Sequence, residues 1–241
     1  MIRTITLAAL GAVLCTAADV QKKDVDIKAP DGINLKATYF SPGRSGPAML
    51  LLHQCNMDRH AWDDLAKDLA GKGFHVLTVD YRGYGESGGE HYSAGDRPKD
   101  WQAKWHDDVD AAYSYLLEQK GVDKSRVTAG GASCGVTQSS DLAARHQEIK
   151  ALMLLSGSAS DAAKAYIAAN ASIRVFGAAS EGDAGAAKGI KDAVESSKNP
   201  QATLKIYPGK EHGVPMFAKN PDLEPMIVAW LDKSVSHKAA K

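Results

Sequence analysis

The chain has 241 residues, of which 44% are hydrophobic, and it carries 29 basic and 29 acidic side chains. This length is enough for one α/β domain that buries its own core without a metal or a disulfide framework. The zero net charge and near-neutral isoelectric point give no indication of nucleic acid or an acidic membrane surface as a partner. We therefore expect a small, neutral ligand.

The first eighteen residues have the three parts of a secretory signal peptide. Arg3 supplies the basic region, residues 5–14 the apolar core, and residues 16–18 a cleavage site of small residues. The apolar run is too short to span a bilayer, although an uncleaved anchor or a buried first helix remains an alternative. We predict a signal peptide at 1–18, one domain at 19–241, and export to the periplasm or the medium.

After residue 18 the sequence alternates strand-like and helix-like segments. The first two strands alternate polar and apolar residues around Pro30-Asp31-Gly32, which predicts a hairpin of edge strands. The later strands are short apolar runs separated by helical patterns, which predicts a mostly parallel sheet of about eight strands with helices on both faces. The predicted strands are 24–29, 33–41, 47–53, 75–80, 126–131, 151–155, 172–176 and 203–207. The predicted helices are 62–69, 101–120, 136–146, 161–169, 184–197 and 225–235.

A candidate nucleophile lies between the predicted strand 126–131 and the helix that follows it. Gly131, Ser133 and Gly135 fit the pattern G-x-S-x-G, in which small residues allow a sharp strand-to-helix turn with the serine at its apex. The amide of Cys134 would then face the reacting carbonyl oxygen at the new helix N-terminus. Cys134 is a poorer nucleophile candidate because its own flanking positions are not glycines, and an ordinary glycine-rich turn is the alternative for the whole segment.

In this strand-to-helix context the chain resembles the α/β-hydrolase superfamily. Residues 80–87, Asp-Tyr-Arg-Gly-Tyr-Gly-Glu-Ser, are similar to the family signature Asp-x-Arg-Gly-x-Gly-x-Ser, and residues 208–213 resemble its catalytic-histidine loop. The resemblance implies an α/β-hydrolase fold and a serine esterase or dienelactone-hydrolase-like activity. Many relatives carry a cap domain between the sixth and seventh strands. Here only residues 157–172 lie between those predicted strands, so we expect no large cap domain.

A serine nucleophile needs a base and a group that orients the base, and this fold orders them serine, acid, histidine. We predict His212 as the base, because the other histidines after Ser133 lie on the following helix or in the charged tail. The position where the family places its acid is best matched by Asp183, which could instead cap the next helix. Glu181 and Asp161 are the alternative acids.

The oxyanion hole should take one amide from Cys134 and, by position in the family, the other from Cys55. Family members usually have His-Gly-x where this chain has His53-Gln54-Cys55, so Gln54 departs from the pattern. His53 resembles the family's structural histidine. We hypothesise that Cys55 and Cys134 can form a disulfide, since amides sharing one acceptor can bring Cα atoms into bonding range. Two reduced cysteines acting as small apolar residues are the alternative.

Two further clusters have simpler interpretations. A histidine and three carboxylates near the start of the helix 101–120 do not share one face at ligand spacing, so we predict a solvated helix face, no metal and no cofactor. Trp101 and Trp105 could border the substrate site, but we favour core or loop anchors. The histidine and carboxylates are His106, Asp107, Asp108 and Asp110.

Together these features predict an exported serine hydrolase that cleaves carboxylic esters or thioesters through an acyl-enzyme. Its partner would be a small ester-type molecule, with neither nucleic acid nor stable membrane association after signal cleavage. Dienelactone-hydrolase-like or peptidase activity, or a catalytically silent binding protein of the same fold, are the alternatives. Acyl and alcohol specificity and oligomeric state stay open.

Overall fold

The computed structural model describes residues 19–91 and 101–236. The predicted signal peptide at 1–18, most of the loop before the first long helix, and the charged tail lie outside this part of the chain. Within it, strands and helices alternate as the apolar runs predict. The strands are β1 Gln21–Lys28, β2 Asn34–Ser41, β3 Gly46–Leu52, β4 His75–Val79, β5 Val122–Ala132, β6 Ile149–Leu155, β7 Arg174–Ser180 and β8 Thr203–Tyr207. The helices are α1 Asp63–Gly71, α2 Trp101–Leu117, α3 Cys134–Arg145, α4 Asp161–Ala169, α5 Ala184–Ser196, α6 Met216–Lys219 and α7 Leu223–Val235.

The eight strands form one sheet in the order β1-β2-β4-β3-β5-β6-β7-β8. β2 pairs antiparallel with β1 and β4, and every pairing from β4 to β8 is parallel. The predicted fold class is therefore confirmed. One detail of the hairpin prediction is wrong: of its two strands, β1 lies at an edge of the sheet but β2 does not, because β2 also pairs with β4.

Helices cover both faces of the sheet, as the two-sided burial of the parallel strands requires. One face packs against α2, α3, α4 and α5, and the other against α1, α6 and α7. A single nine-residue helix, α4, lies between β6 and β7, which agrees with the prediction of no large cap. Side chains that fill the two faces include Trp105, Val136, Leu142 and Ile190 on the first, and Leu65, Leu69, Ile227 and Leu231 on the second.

The segment after β4 is held by two buried ion pairs. The Asp80 carboxylate accepts hydrogen bonds from the backbone and the guanidinium of Arg59, at 2.6 and 2.5 Å. Arg82 bonds to Asp108 of α2 at 2.6 Å and to Asp31 at 2.5 Å. The prediction of a solvated carboxylate face on α2 is thus wrong for Asp108, which is fully buried because it pairs with this arginine.

A buried histidine at the start of β4 is held as a neutral ring. The Nε2–H of His75 donates to the carbonyl oxygen of Arg44 at 3.0 Å, so its Nδ1 accepts from the hydroxyl of Tyr39 at 2.6 Å. Burial lowers the pKa of His75, because the charged ring would lose its hydration. No helix in residues 19–91 and 101–236 has the length and apolar character needed to cross a membrane.

Candidate active site

Ser133 lies at the junction of β5 and α3, in the conformation that a nucleophile elbow requires. Its backbone φ is 55° and its ψ is −117°, a region that residues with a side chain rarely adopt. The turn can close because Gly135 lies against the end of β3, where a side chain would overlap the carbonyl oxygen of Leu52. The serine side chain is therefore presented at the carboxyl end of a central strand, where ligands of such sheets bind.

Asp183 and His212 are joined by a hydrogen bond. The Nδ1 atom of His212 lies 2.6 Å from Oδ2 of Asp183, and the two side chains are 43% and 22% exposed. Asp183 precedes α5, but its side chain makes no capping hydrogen bond to that helix. Its carboxylate is thus directed at the histidine, and Nε2 of the ring is left to act as a base.

The structure does not bring the two alternative acids to the histidine. Glu181 is exposed at the end of β7, and its backbone amide bonds to the carbonyl oxygen of Tyr207. Asp161, on the first turn of α4, pairs with Lys164 at 2.9 Å, and its side chain is 99% exposed.

The histidine loop lies against the serine turn. A methyl group placed on Gly213 would come within 3.3 Å of Cβ of Ala132, the residue before Ser133. Among the described residues, however, Ser133 Oγ has no hydrogen bond to His212. Catalytic hydrogen bonds are often long in free enzymes and tighten when substrate binds.

The two positions predicted to supply oxyanion-hole amides are covalently linked. Cys55 and Cys134 form a disulfide, and their Cα atoms are 5.9 Å apart. Cys134 is the first residue of α3, so its backbone amide lies at the positive end of the helix dipole. Among the described residues, neither the Cys55 amide nor the Cys134 amide donates a hydrogen bond to a loop, turn or cap group.

His53 and Gln54 precede Cys55 and are both buried. His53 donates from Nδ1 to the carbonyl oxygen of Gln54 at 2.8 Å and accepts at Nε2 from the amide of Tyr81 at 3.3 Å. Burial lowers the pKa of His53, so the ring is neutral and its two nitrogens are occupied. These contacts agree with a structural histidine.

Sequence reasoning did not assign roles to two side chains that hold the histidine loop. The side-chain oxygen of Gln54 accepts from the amide of Val214 at 2.9 Å. The hydroxyl of Ser180, at the end of β7, donates to the carbonyl oxygen of Glu211 at 2.8 Å. The only sequence signal for either was that Gln54 replaces the glycine of the family pattern.

The surroundings of the site are partly apolar. Trp105 is buried and stacks on Tyr81 at 4.3 Å, so it is a core anchor, whereas the Trp101 side chain lies outside the described part.

A cavity of about 430 Å³ lies beside the histidine loop. A cavity of about 590 Å³ is lined by the start of β1, the end of β2 and the segment before β5, at the opposite end of the strands from Ser133. The smaller cavity is lined in part by Met57, Leu65, Val214 and Phe217.

The helix α2 cluster of a histidine and carboxylates does not converge on one point. His106 approaches Asp141 at 3.5 Å, whereas Asp108 faces Arg82 and Asp110 faces His146. Residues 19–91 and 101–236 contain no group of three histidine, cysteine or acidic side chains arranged to hold a metal ion.

Comparisons with known proteins bear on the family and the fold of the chain. An uncharacterised protein of Mycobacterium tuberculosis strain H37Rv is 36% identical over 123 residues, which are 50% of this chain and 41% of that protein. The chain thus spans about two fifths of the length of this curated relative. An esterase of Pyrococcus furiosus superposes with a TM-score of 0.72 at 17% identity, covering 95% of this chain and 96% of the other. A dienelactone hydrolase of Anabaena variabilis gives a TM-score of 0.69 at 16% identity, with 90% and 100% covered.

These two solved structures share the fold of the chain. The sequence model of the family described as alpha/beta hydrolase fold matches residues 47–174, more than half of the chain, and this segment includes Ser133 and both cysteines of the disulfide. The chain belongs to the alpha/beta hydrolase fold family.

Proposed function

We propose that the protein is an exported serine hydrolase that cleaves carboxylic ester or thioester bonds. The observation that carries the proposal is the 2.6 Å contact between His212 and Asp183, next to a serine whose backbone has the strained geometry of a nucleophile elbow. Membership of the family, and the likeness of the fold to an esterase and to a dienelactone hydrolase, support a hydrolase. No cofactor is needed for this chemistry.

In the proposed mechanism, Ser133 Oγ attacks the acyl carbon while His212 Nε2 takes the serine proton. Asp183 keeps the proton of the ring on Nδ1 and stabilises the imidazolium that forms. The amides of Cys55 and Cys134 would donate to the oxyanion of the tetrahedral intermediate.

Collapse of the intermediate breaks the bond to the leaving alcohol or thiol, which takes the proton from His212. Water then attacks the acyl-enzyme, with His212 again acting as base, and releases the carboxylic acid and free Ser133.

The test is hydrolysis of p-nitrophenyl esters, with acyl chains graded from acetate to laurate, together with labelling by an alkyl fluorophosphonate. We expect Ser133→Ala to abolish labelling and to lower hydrolysis by at least about 10³-fold. Ser139→Ala is the matched control, because Ser139 is a buried serine six positions further on and its hydroxyl donates to the carbonyl oxygen of Val136 within α3.

An undiminished rate in Ser133→Ala would overturn the mechanism. If wild-type protein neither reacts with the fluorophosphonate nor hydrolyses any ester, a silent binding protein of this fold replaces the proposal. Preference for a dienelactone or a peptide anilide over simple esters would shift the substrate class without changing the triad.

Export rests on the composition of residues 1–18 and on the Cys55–Cys134 disulfide, since disulfides persist in oxidising compartments. We expect protein recovered from the periplasm or the medium of an expressing cell to begin at Asp19. An N-terminus at Met1 in that fraction would contradict the cleavage site.

A further inference from the structure

We propose that Gln54 is a positioning residue that holds the catalytic-histidine loop in register with Ser133. The inference rests on the proposed function, because it assigns a role to Gln54 only if His212 is the base. It concerns the residue at which this chain departs from the family pattern.

The Gln54 side chain is buried and both ends of its amide are bonded. It is 1% exposed, its Oε1 accepts from the amide of Val214 at 2.9 Å, and its Nε2 donates to Oδ1 of Asn56 at 2.7 Å. The amide orientation follows from these partners, because Val214 offers a backbone donor that only an oxygen can accept. A buried amide is costly without partners. The bond to Asn56 fixes the side chain within its own turn, and the bond to Val214 restrains where the histidine loop can lie.

The contact joins segments 160 positions apart in the sequence, and it is made at close range. Gly213, between His212 and Val214, has a φ of 70° and passes directly over the Gln54 amide, where a side chain would overlap Oε1. Glycine at 213 thus serves both the backbone conformation and the approach to Gln54.

His212 is therefore held from two sides. Ser180 ties the residue before it to the end of β7, and Gln54 ties the loop after it to the turn that carries Cys55. That turn is fixed in its own right, because the amide of Met57 donates to the Gln54 carbonyl oxygen at 3.0 Å.

These links form a continuous chain of covalent bonds and one hydrogen bond from the nucleophile to the loop of the base. Ser133 is followed by Cys134, which is bonded to Cys55, and Gln54 then connects to the loop of His212. The path sets the distance between Ser133 Oγ and the histidine ring. A displacement of about 1 Å in such a pair can lower a rate by about 10²-fold.

The test compares two substitutions of Gln54 with a control. Gln54→Met keeps the length of the side chain but removes the acceptor, so we expect kcat for p-nitrophenyl butyrate to fall by about 10²-fold with KM changed by less than about threefold. Gln54→Glu keeps an acceptor for Val214 and should retain at least about a tenth of the activity. Gln138→Met, at another buried glutamine whose Oε1 is unpaired within the described residues, should leave kcat unchanged.

Measuring the same substitution in a His212→Ala variant separates a merely structural role of Gln54 from a positioning role. In His212→Ala, the base is absent, so Gln54→Met should cause no further loss of the residual activity. An equal loss in both backgrounds, or a kcat of Gln54→Met within about twofold of wild type, overturns the inference.

If Gln54→Met does not fold, Gly213→Ala tests the same contact from the other side. It keeps Gln54 but forces the loop off the amide, and we expect a similar loss of kcat. Unchanged kcat in Gly213→Ala would also overturn the inference. Failure of the proposed function itself is distinguishable, because then either the wild-type protein would hydrolyse no ester, or Ser133→Ala and His212→Ala would both retain its rate of hydrolysis.

Discussion

Ser133→Gly and Ser133→Ala remove the same hydroxyl group, and we expect both to be inactive, but the glycine variant should be the more stable of the two. Alanine keeps a Cβ atom at a φ of 55° and a ψ of −117°. A residue with a side chain in a sparsely populated region costs of the order of 1–3 kcal/mol. The greater chain entropy of unfolded glycine offsets about 0.5–1 kcal/mol of that relief.

The expected difference in the free energy of unfolding therefore spans about 0–2.5 kcal/mol, with a mid-range value of about 1.2 kcal/mol. In a domain of this size each kcal/mol shifts Tm by roughly 2–4 °C, so at the mid-range value Ser133→Gly should melt about 2–5 °C above Ser133→Ala in calorimetry under non-reducing conditions. Ser139 provides the control with the opposite sign, because it lies within α3, where glycine costs about 1 kcal/mol relative to alanine. A lower Tm for Ser133→Gly than for Ser133→Ala would refute the argument that the elbow stores backbone strain.

Three further predictions concern the acid, the disulfide and a buried histidine. Asp183→Asn should lower kcat by up to about 10⁴-fold by favouring the wrong tautomer of the base, whereas Glu181→Gln should have little effect on kcat for the same esters. The reverse result would make Glu181 the acid. Reduction of the Cys55–Cys134 disulfide by a dithiol should cost roughly 2–4 kcal/mol of stability and lower kcat, whereas a variant with serine at both positions should not respond to the reductant. Recovery of both thiols as free alkylated peptides from non-reduced exported protein would contradict the disulfide. Burial lowers the pKa of His75, so the unfolded chain binds the extra proton, and the free energy of unfolding should fall by up to about 1.4 kcal/mol per pH unit below about pH 6.5. Tm should therefore decrease as the pH drops from 7 to 5, and an equally steep decline in His75→Gln would show that other groups cause it.

The strands were predictable because each buried strand is a short apolar run, and its partners follow from the crossover rules. The residues at which the strands end were less predictable. β7 continues through Gly177, Ala178 and Ala179 to Ser180, although glycine and alanine have low strand propensity. These residues pair with β6 on one side and β8 on the other, and that burial outweighs local preference.

The candidate site was predictable where a local motif carries it. Ser133 and His212 lie in recognisable short segments, but the direction of the Asp183 carboxylate depends on a loop 29 positions away, so sequence alone left the helix-cap interpretation open. Asp108 was misassigned for the same reason, since its partner Arg82 belongs to a different element.

Gln54 shows the same limit most clearly. Its partner is a backbone amide 160 positions away, and a backbone amide has no residue type that a sequence motif could reveal. Only the folded arrangement of the two loops assigns the contact.

The sheet order distributes the candidate triad between regions of unequal protection against local opening. The serine follows β5, which has neighbours on both sides, whereas the histidine follows β8, a five-residue edge strand that is largely accessible to water. In native-state hydrogen exchange, central strands open only with global unfolding, and edges open at lower free energy. We therefore expect His212, the candidate base, to leave its place while Ser133 is still held, so that thermal inactivation begins at the edge of the sheet, below the temperature at which the domain melts.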